Sequence, residues 1–174
     1  VDTFLGPEMK STGEVMGVDK NYHLALYKAL TATGLTVPQG GNVLIAASEI
    51  DKDDCIGISK RLLRLGFNII AAEDTFEYLA AAGVRAEVAA EDSILDFIKG
   101  DKVSLVISTP TKMGVSGKLG FSIRRTAMEY NTPCLSSMDT ANAVLDVLEY
   151  MAGNNKTVGI YSLDEYSRNE EMRL

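Results

Sequence analysis

The chain has 174 residues, 46% of them hydrophobic, which is enough to bury one sizeable core and leaves little for a second full domain. A formal net charge of −7 disfavours unaided binding to nucleic acid or to an anionic membrane, because neutralising phosphates needs clustered lysine and arginine. No apolar run approaches the roughly 20 residues that cross a bilayer, and the first residues lack the basic, apolar and small-residue regions of a secretion signal, so a soluble cytoplasmic protein is expected.

Residues 1–20 carry several Gly, Thr and Asp and little periodicity, which reads as a linker or the edge of a preceding domain. A helix is predicted over 21–33, closed by Gly34. From there to residue 153 short apolar runs alternate with helical spacings, the pattern of a parallel sheet with crossover helices. The predicted strands are NVLIAAS (42–48), FNIIAAE (67–73), EVAA (87–90), VSLVIST (103–109) and PCLSS (133–137). Between the first two, Cys55, Ile58, Leu62 and Leu65 recur at helical spacing and Gly66 ends the element, which makes a βαβ unit. Later helices are predicted over 117–130 and along the stripe Ala141, Val144, Leu145, Leu148 and Met151. Residues 154–174 form a polar, charged tail with one strand-like piece at 157–163.

The expected architecture is therefore α/β, a five-stranded parallel sheet flanked by helices in three layers, with ligands bound at the carboxyl ends of the strands. Three loops matter: 48–53, 72–76 and 108–116. In the first, Lys52 stands at a helix start, where it could hold a phosphate; Asp51, Asp53 and Asp54 equally suit helix capping, with Lys52 solvated beside them. In the second, Thr75 could offer its hydroxyl to a phosphate or cap the helix. The third gathers Ser108, Thr109, Thr111, Lys112, Ser116 and Lys118 with two glycines, a composition suited to an anion-binding loop, without the GxxxxGK(S/T) order of a Walker loop.

Catalytic groups are few. The sole histidine, His23, lies outside all three loops and reads as structural. The acidic pairs Asp53/Asp54, Glu91/Asp92 and Glu170/Glu171 suit caps and solvated faces, and Arg124/Arg125 a salt-bridged helix surface or a contact with a neighbouring domain. Cys55 and Cys134 occur without a CxxC or Cys/His cluster and are expected as buried thiols, with no metal.

The segment GPEMKSTGEVMGVDKNYHLALYKAL closely resembles the junction between the second ATP-grasp half and the regulatory domain of carbamoyl-phosphate synthase large subunits. The likeness continues through LIAASEIDK, LLRLGFNIIAAEDT, VSLVIST, SIRRTAMEY and TPCLSSMDTANAVLDVLE, covering nearly all of residues 6–150. It implies a methylglyoxal-synthase-like fold over residues 21–153 and an allosteric role: binding of an effector such as UMP or IMP, with ornithine at the border with the neighbouring synthetase half. The parent enzyme would make carbamoyl phosphate, for pyrimidine or arginine synthesis, from bicarbonate, ATP (with Mg or Mn) and ammonia from a glutaminase small subunit. Its catalytic residues would lie upstream, leaving this chain non-catalytic and without a cofactor.

Carried over by position, the family's effector-phosphate lysine falls on Lys52 and the second threonine of its phosphate loop on Thr75. The first threonine of that loop falls on Ala72, its glycine on Asp74, and a further family lysine on Glu91, departures that imply a weakened nucleotide-phosphate pocket. The end of the fourth strand supplies Ser108, Thr109 and Thr111, and the ornithine-side hydroxyl falls on Ser136. The competing readings are a stand-alone methylglyoxal-synthase-like lyase, which needs histidine-bearing loops absent here, and a structural oligomerisation module with a decayed effector site.

Overall fold

The computed structural model describes residues 14–110 and 115–154. The chain divides into two compact units, Val1–Leu35 with Thr157–Leu174, and Thr36–Lys156. In the first, helix α1 (Tyr22–Ala32) is capped by Asn21, whose side chain accepts from the N–H groups of His23 and Leu24. Gly17 lies so close to α1 that a Cβ there would sit 2.0 Å from the Ala25 carbonyl oxygen, so only glycine fits.

The second unit is the sheet. Its strands are β1 (Asn42–Ala46), β2 (Asn68–Ala72), β3 (Glu87–Ala89), β4 (Leu105–Ser108) and β5 (Cys134–Leu135), each inside a predicted run. All neighbours pair in parallel, in the order β3-β2-β1-β4-β5. The helices are α2 (Lys52–Arg64), α3 (Glu73–Ala81), α4 (Ile94–Lys99), α5 (Val115–Glu129) and α6 (Met138–Asn154). Helix α4 had no counterpart in the sequence reading, because six residues with only Ile94 and Ile98 fully buried are too short to declare a period. The strand-like piece at 157–163 lies outside the described residues.

Right-handed crossovers decide the layers. The chain moves outward from β1 to β2 to β3 and then returns past β1 to β4 and β5, so α2 and α3 cover one face while α4 and α5 cover the other. Alternation along the strands agrees. Leu44, Ile70, Ala72, Ala89 and Val106 pack with Ile94, Ile98, Ile123 and Ala127 of α4 and α5. Val43, Ile45, Ile69, Ala71, Leu105 and Ile107, also buried, point the opposite way, where α2 packs on β2 and α6. Burial on both faces explains why the strands read as continuous apolar runs. Gly66, at φ +86°, ends α2 in the left-handed conformation that glycine adopts without strain.

Helices α2 and α6 are joined by Arg61. Its Nε and Nη2 donate to the two Glu149 carboxylate oxygens, both at 2.9 Å, Nη2 also to Asp146 Oδ1 at 2.5 Å, and Nη1 to Asn142 Oδ1 at 3.0 Å. The three acceptors are four and three residues apart, on one face of α6. The Arg61 guanidinium holds the Glu149 carboxyl below its usual range. A depressed folded-state value means that this stabilisation is complete above the unfolded value, about 4.3, and is lost as pH falls through the folded one. Both carboxylates are well solvated, so Arg61→Ala is expected to lower stability by about 0.5–1.5 kcal/mol at pH 7. In urea unfolding at pH 3 that difference is expected to shrink; an undiminished cost there would show that Arg61 acts through packing instead.

Candidate functional site

Strand order reverses between β1 and β4, and at that switch point the loops leaving the two strands diverge and open a crevice at their carboxyl ends. Backbone N–H groups there have no strand partner and must find another acceptor. Two threonines supply it. The N–H of Ala47 donates to Thr75 Oγ1 at 3.0 Å, and the N–H of the next residue, Ser48, donates to Thr109 Oγ1 at 2.9 Å. Thr75 lies in the first turn of α3 and Thr109 directly follows β4; both are buried, as is Ser108. The Thr109 N–H returns a bond to the Ala46 carbonyl at 3.2 Å. The loop after β1 is thus fastened on both sides.

Beyond it, Ser48 opens a short 3-10 turn, Glu49–Asp51, by accepting from the Ile50 N–H at 3.4 Å, and α2 begins at Lys52 as expected. Asp51 stands at the capping position of α2 but makes no side-chain cap bond, and Thr75 does not cap α3. Lys52 is exposed and lies over the ring of Tyr78, with Nζ 5.6 Å from its centroid, and has no ion pair among the described residues. A cleft of about 510 Å³ opens beside it, lined by Ala47, Ser48, Glu49, Lys52, Asp74, Glu77, Tyr78 and Ala81. A smaller hollow of about 40 Å³ lies between Thr75, Thr109, Ala72 and Gly120.

Burial pushes the Tyr78 phenol well above its ordinary value. Its hydroxyl is close enough to Thr75 and Cys55 to feel both, yet makes no hydrogen bond of good geometry. Burial likewise raises the thiols of Cys55 and Cys134, so both stay protonated at neutral pH and neither offers a thiolate nucleophile. Among the described residues no group of His, Cys, Asp and Glu could hold a metal ion, and no helix is long and apolar enough to cross a membrane.

The structure brings Lys52, Thr75, Ser108 and Thr109 to the ends of adjacent central strands and their loops. Ser136 is exposed just past the edge strand β5, and Glu91 is exposed on the turn after β3. Thr111 and Lys112 lie outside the described residues. Two residues of the site escaped the sequence reading. Tyr78 sits three residues after Thr75, hence on the same side of α3, a spacing that could have revealed it. Arg124 is not a solvated surface cation like Arg125, which pairs with Glu129 at 2.8 Å; its Nη1 turns to the end of β4, 3.3 Å from Ser108 Oγ and 3.5 Å from the Ser108 carbonyl.

Residues 54–136, which include α2 from Asp54 onward, α3 and every strand after β1, match the sequence profile of the family described as "MGS-like domain". The chain carries an MGS-like domain. It is 39% identical over 150 residues to a carbamoyl phosphate synthase large chain from Clostridium acetobutylicum, a match covering 86% of this chain and 14% of that one. The chain therefore corresponds to about one seventh of the length of that curated relative. The crystal structure of methylglyoxal synthase from Elizabethkingia anophelis NUHP1 superposes with a TM-score of 0.51 at 18% identity, over 62% of this chain and 78% of that one, which establishes the shared fold. The crystal structure of ForH overlaps with a TM-score of 0.47 at 19% identity, over 65% of this chain and 82% of that one.

In this MGS-like domain the buried threonine hydroxyls carry backbone weight. Thr75→Val, nearly isosteric, leaves the Ala47 amide without its acceptor and is expected to cost about 1–3 kcal/mol in denaturant unfolding, while Thr75→Ser retains most of the stability. Equal stability of the Val and wild-type proteins would mean that the hydroxyl serves a ligand alone.

Proposed function

We propose that this MGS-like domain is the allosteric effector-binding domain of a carbamoyl phosphate synthase large chain, and that bond-making takes place elsewhere in the parent. The observation that carries this reading is the 39% identity to such a large chain, sustained over 86% of the present sequence. The chemistry of the strand ends supports it. Residues 36–156 contain no histidine, and the two thiols are neutral, so the strand-end loops hold neither an imidazole base nor a thiolate, as the lyase alternative would require of its phosphate loops. The parent would use ATP with Mg or Mn in its synthetase domains and take ammonia from a glutaminase subunit; the domain itself needs no cofactor. Ser136, exposed at the β5 edge, is the proposed border with the neighbouring synthetase domain, where ornithine would bind.

An effector would enter the cleft beside Lys52, with Ser108, Thr109, Thr111 and Lys112 as the remaining polar groups of the strand-end loops. For a nucleotide phosphate this site is weakened. Asp74 stands where the family has glycine and lines the same cleft as Lys52. Ala72 removes a hydroxyl, and Glu91 replaces a cation. Each unit of charge at contact distance is worth on the order of 1–4 kcal/mol near a protein surface, so replacing a cation by an anion lowers phosphate affinity by orders of magnitude. Calorimetric titration is therefore expected to show UMP binding no tighter than roughly millimolar. A micromolar dissociation constant would contradict the weakened pocket, and methylglyoxal formation from dihydroxyacetone phosphate would contradict the non-catalytic role.

A further inference from the structure

Helices α2 and α3 pack side by side along the cleft, and the seam between them is made of polar groups where aliphatic side chains would interlock more firmly. Lys52, Cys55 and Ser59 follow one another at three and four residues, so they share a face of α2; Thr75 and Tyr78 share a face of α3. Cys55, Ser59 and Thr75 are buried. The hydroxyls of Ser59 and Tyr78 are buried as well, both close to the Cys55 thiol, yet neither makes a hydrogen bond of good geometry. Two buried hydroxyls that have given up water without finding an acceptor oppose the closed seam. Thr75 is secure, because its bond with the Ala47 amide pins the first turn of α3. One turn further on, the contact at the mouth of the seam is Lys52 Nζ over the Tyr78 ring, 5.6 Å from its centroid.

We propose that the Tyr78 side chain is a gate between the cleft and the seam of α2 with α3, held shut by the Lys52 ammonium. Shut, the ring shields Cys55 and Lys52 lies over the ring. When a ligand draws the ammonium away, the ring turns out into the cleft, its hydroxyl reaches water, and the seam loosens at Cys55 and Ser59 while Thr75 stays bonded to Ala47. Occupancy of the cleft is thereby converted into a change in the packing of α2 on α3, the kind of two-state element that regulation requires. The regulatory meaning of the gate rests on the effector-binding reading above. Its motion does not, because loss of one exposed cation–π contact opens it in the ligand-free chain as well.

The test is thiol labelling of the 174-residue chain by N-ethylmaleimide, in a Cys134→Ala background that leaves Cys55 as the only thiol. Labelling of a buried thiol proceeds through local opening, so its rate reports how often the gate is open. Lys52→Gln removes the ammonium without any ligand and is expected to speed labelling about two- to fivefold, the factor that one exposed cation–π contact supplies. Lys52→Arg, which keeps a cation over the ring, is expected to label at the wild-type rate. Lys52 is exposed, so the urea midpoint of both variants should stay at the wild-type value, which separates gating from general loss of stability. Tyr78→Phe removes the hydroxyl that the shut state leaves without a bond, and is expected to slow labelling and raise the urea midpoint. Equal labelling of the Lys52→Gln and wild-type chains would overturn the gate. A lower urea midpoint for Tyr78→Phe would overturn it too, by showing that the hydroxyl is satisfied where it lies. Either result leaves the effector-binding reading intact, since that reading falls to turnover by the chain itself, measured in a separate assay.

Discussion

Two adjacent peptide N–H groups at the end of β1 organise the rest of the site. In a parallel sheet that reverses its strand order, the chain leaving the central strand runs into the crevice with donors that no neighbouring strand can accept. A phosphate could satisfy such donors. In this domain they are satisfied from within, by Thr75 on one side and Thr109 on the other. The loop is consequently shaped before any ligand arrives, and α2 starts where that shape delivers it, with Lys52 as its first residue. Tyr78, on the same face of α3 as Thr75, is carried along by the same bond and forms the surface on which Lys52 rests.

This internal satisfaction changes what the remaining groups can do. Both threonine hydroxyls already accept from the backbone, and burial keeps the Cys55 thiol and the Tyr78 phenol protonated, so none of these four groups is an activated nucleophile. Under the proposed effector role, a ligand must prefer one of two conformations in order to regulate, and the loops fastened across β1, β2 and β4 would connect its contacts to the central strands. Arg124, turned toward the end of β4, brings a further cation to the same edge of the sheet.

The sheet was legible because its strands are buried on both faces, so that NVLIAAS or VSLVIST can hardly be anything but central strands, and because Gly66 marks the end of α2 unambiguously. Lys52 at a helix start and Thr75 in a helix after a strand were likewise readable from local pattern. Their partners were not. Thr75 and Thr109 reach amides 28 and 61 residues away, and no window of sequence contains both ends of such a bond. Capping was a fair local expectation for Asp51 and Thr75, but the tertiary acceptor sites claimed Thr75 and left Asp51 without a cap bond. Arg124 and Arg125 are indistinguishable in sequence; a 100° step around α5 sends one to β4 and the other to Glu129. Helix α4 is too short to show a period.

The most direct measurement is amide hydrogen exchange at Ala47 and Ser48. If the two threonines fasten the loop after β1 in the absence of ligand, both amides exchange slowly, with protection close to that of Leu44 and Ile45 in the central strand. Exchange as rapid as that of exposed loop amides, with protection appearing only when a ligand is added, would contradict a site whose shape is set by its own side chains.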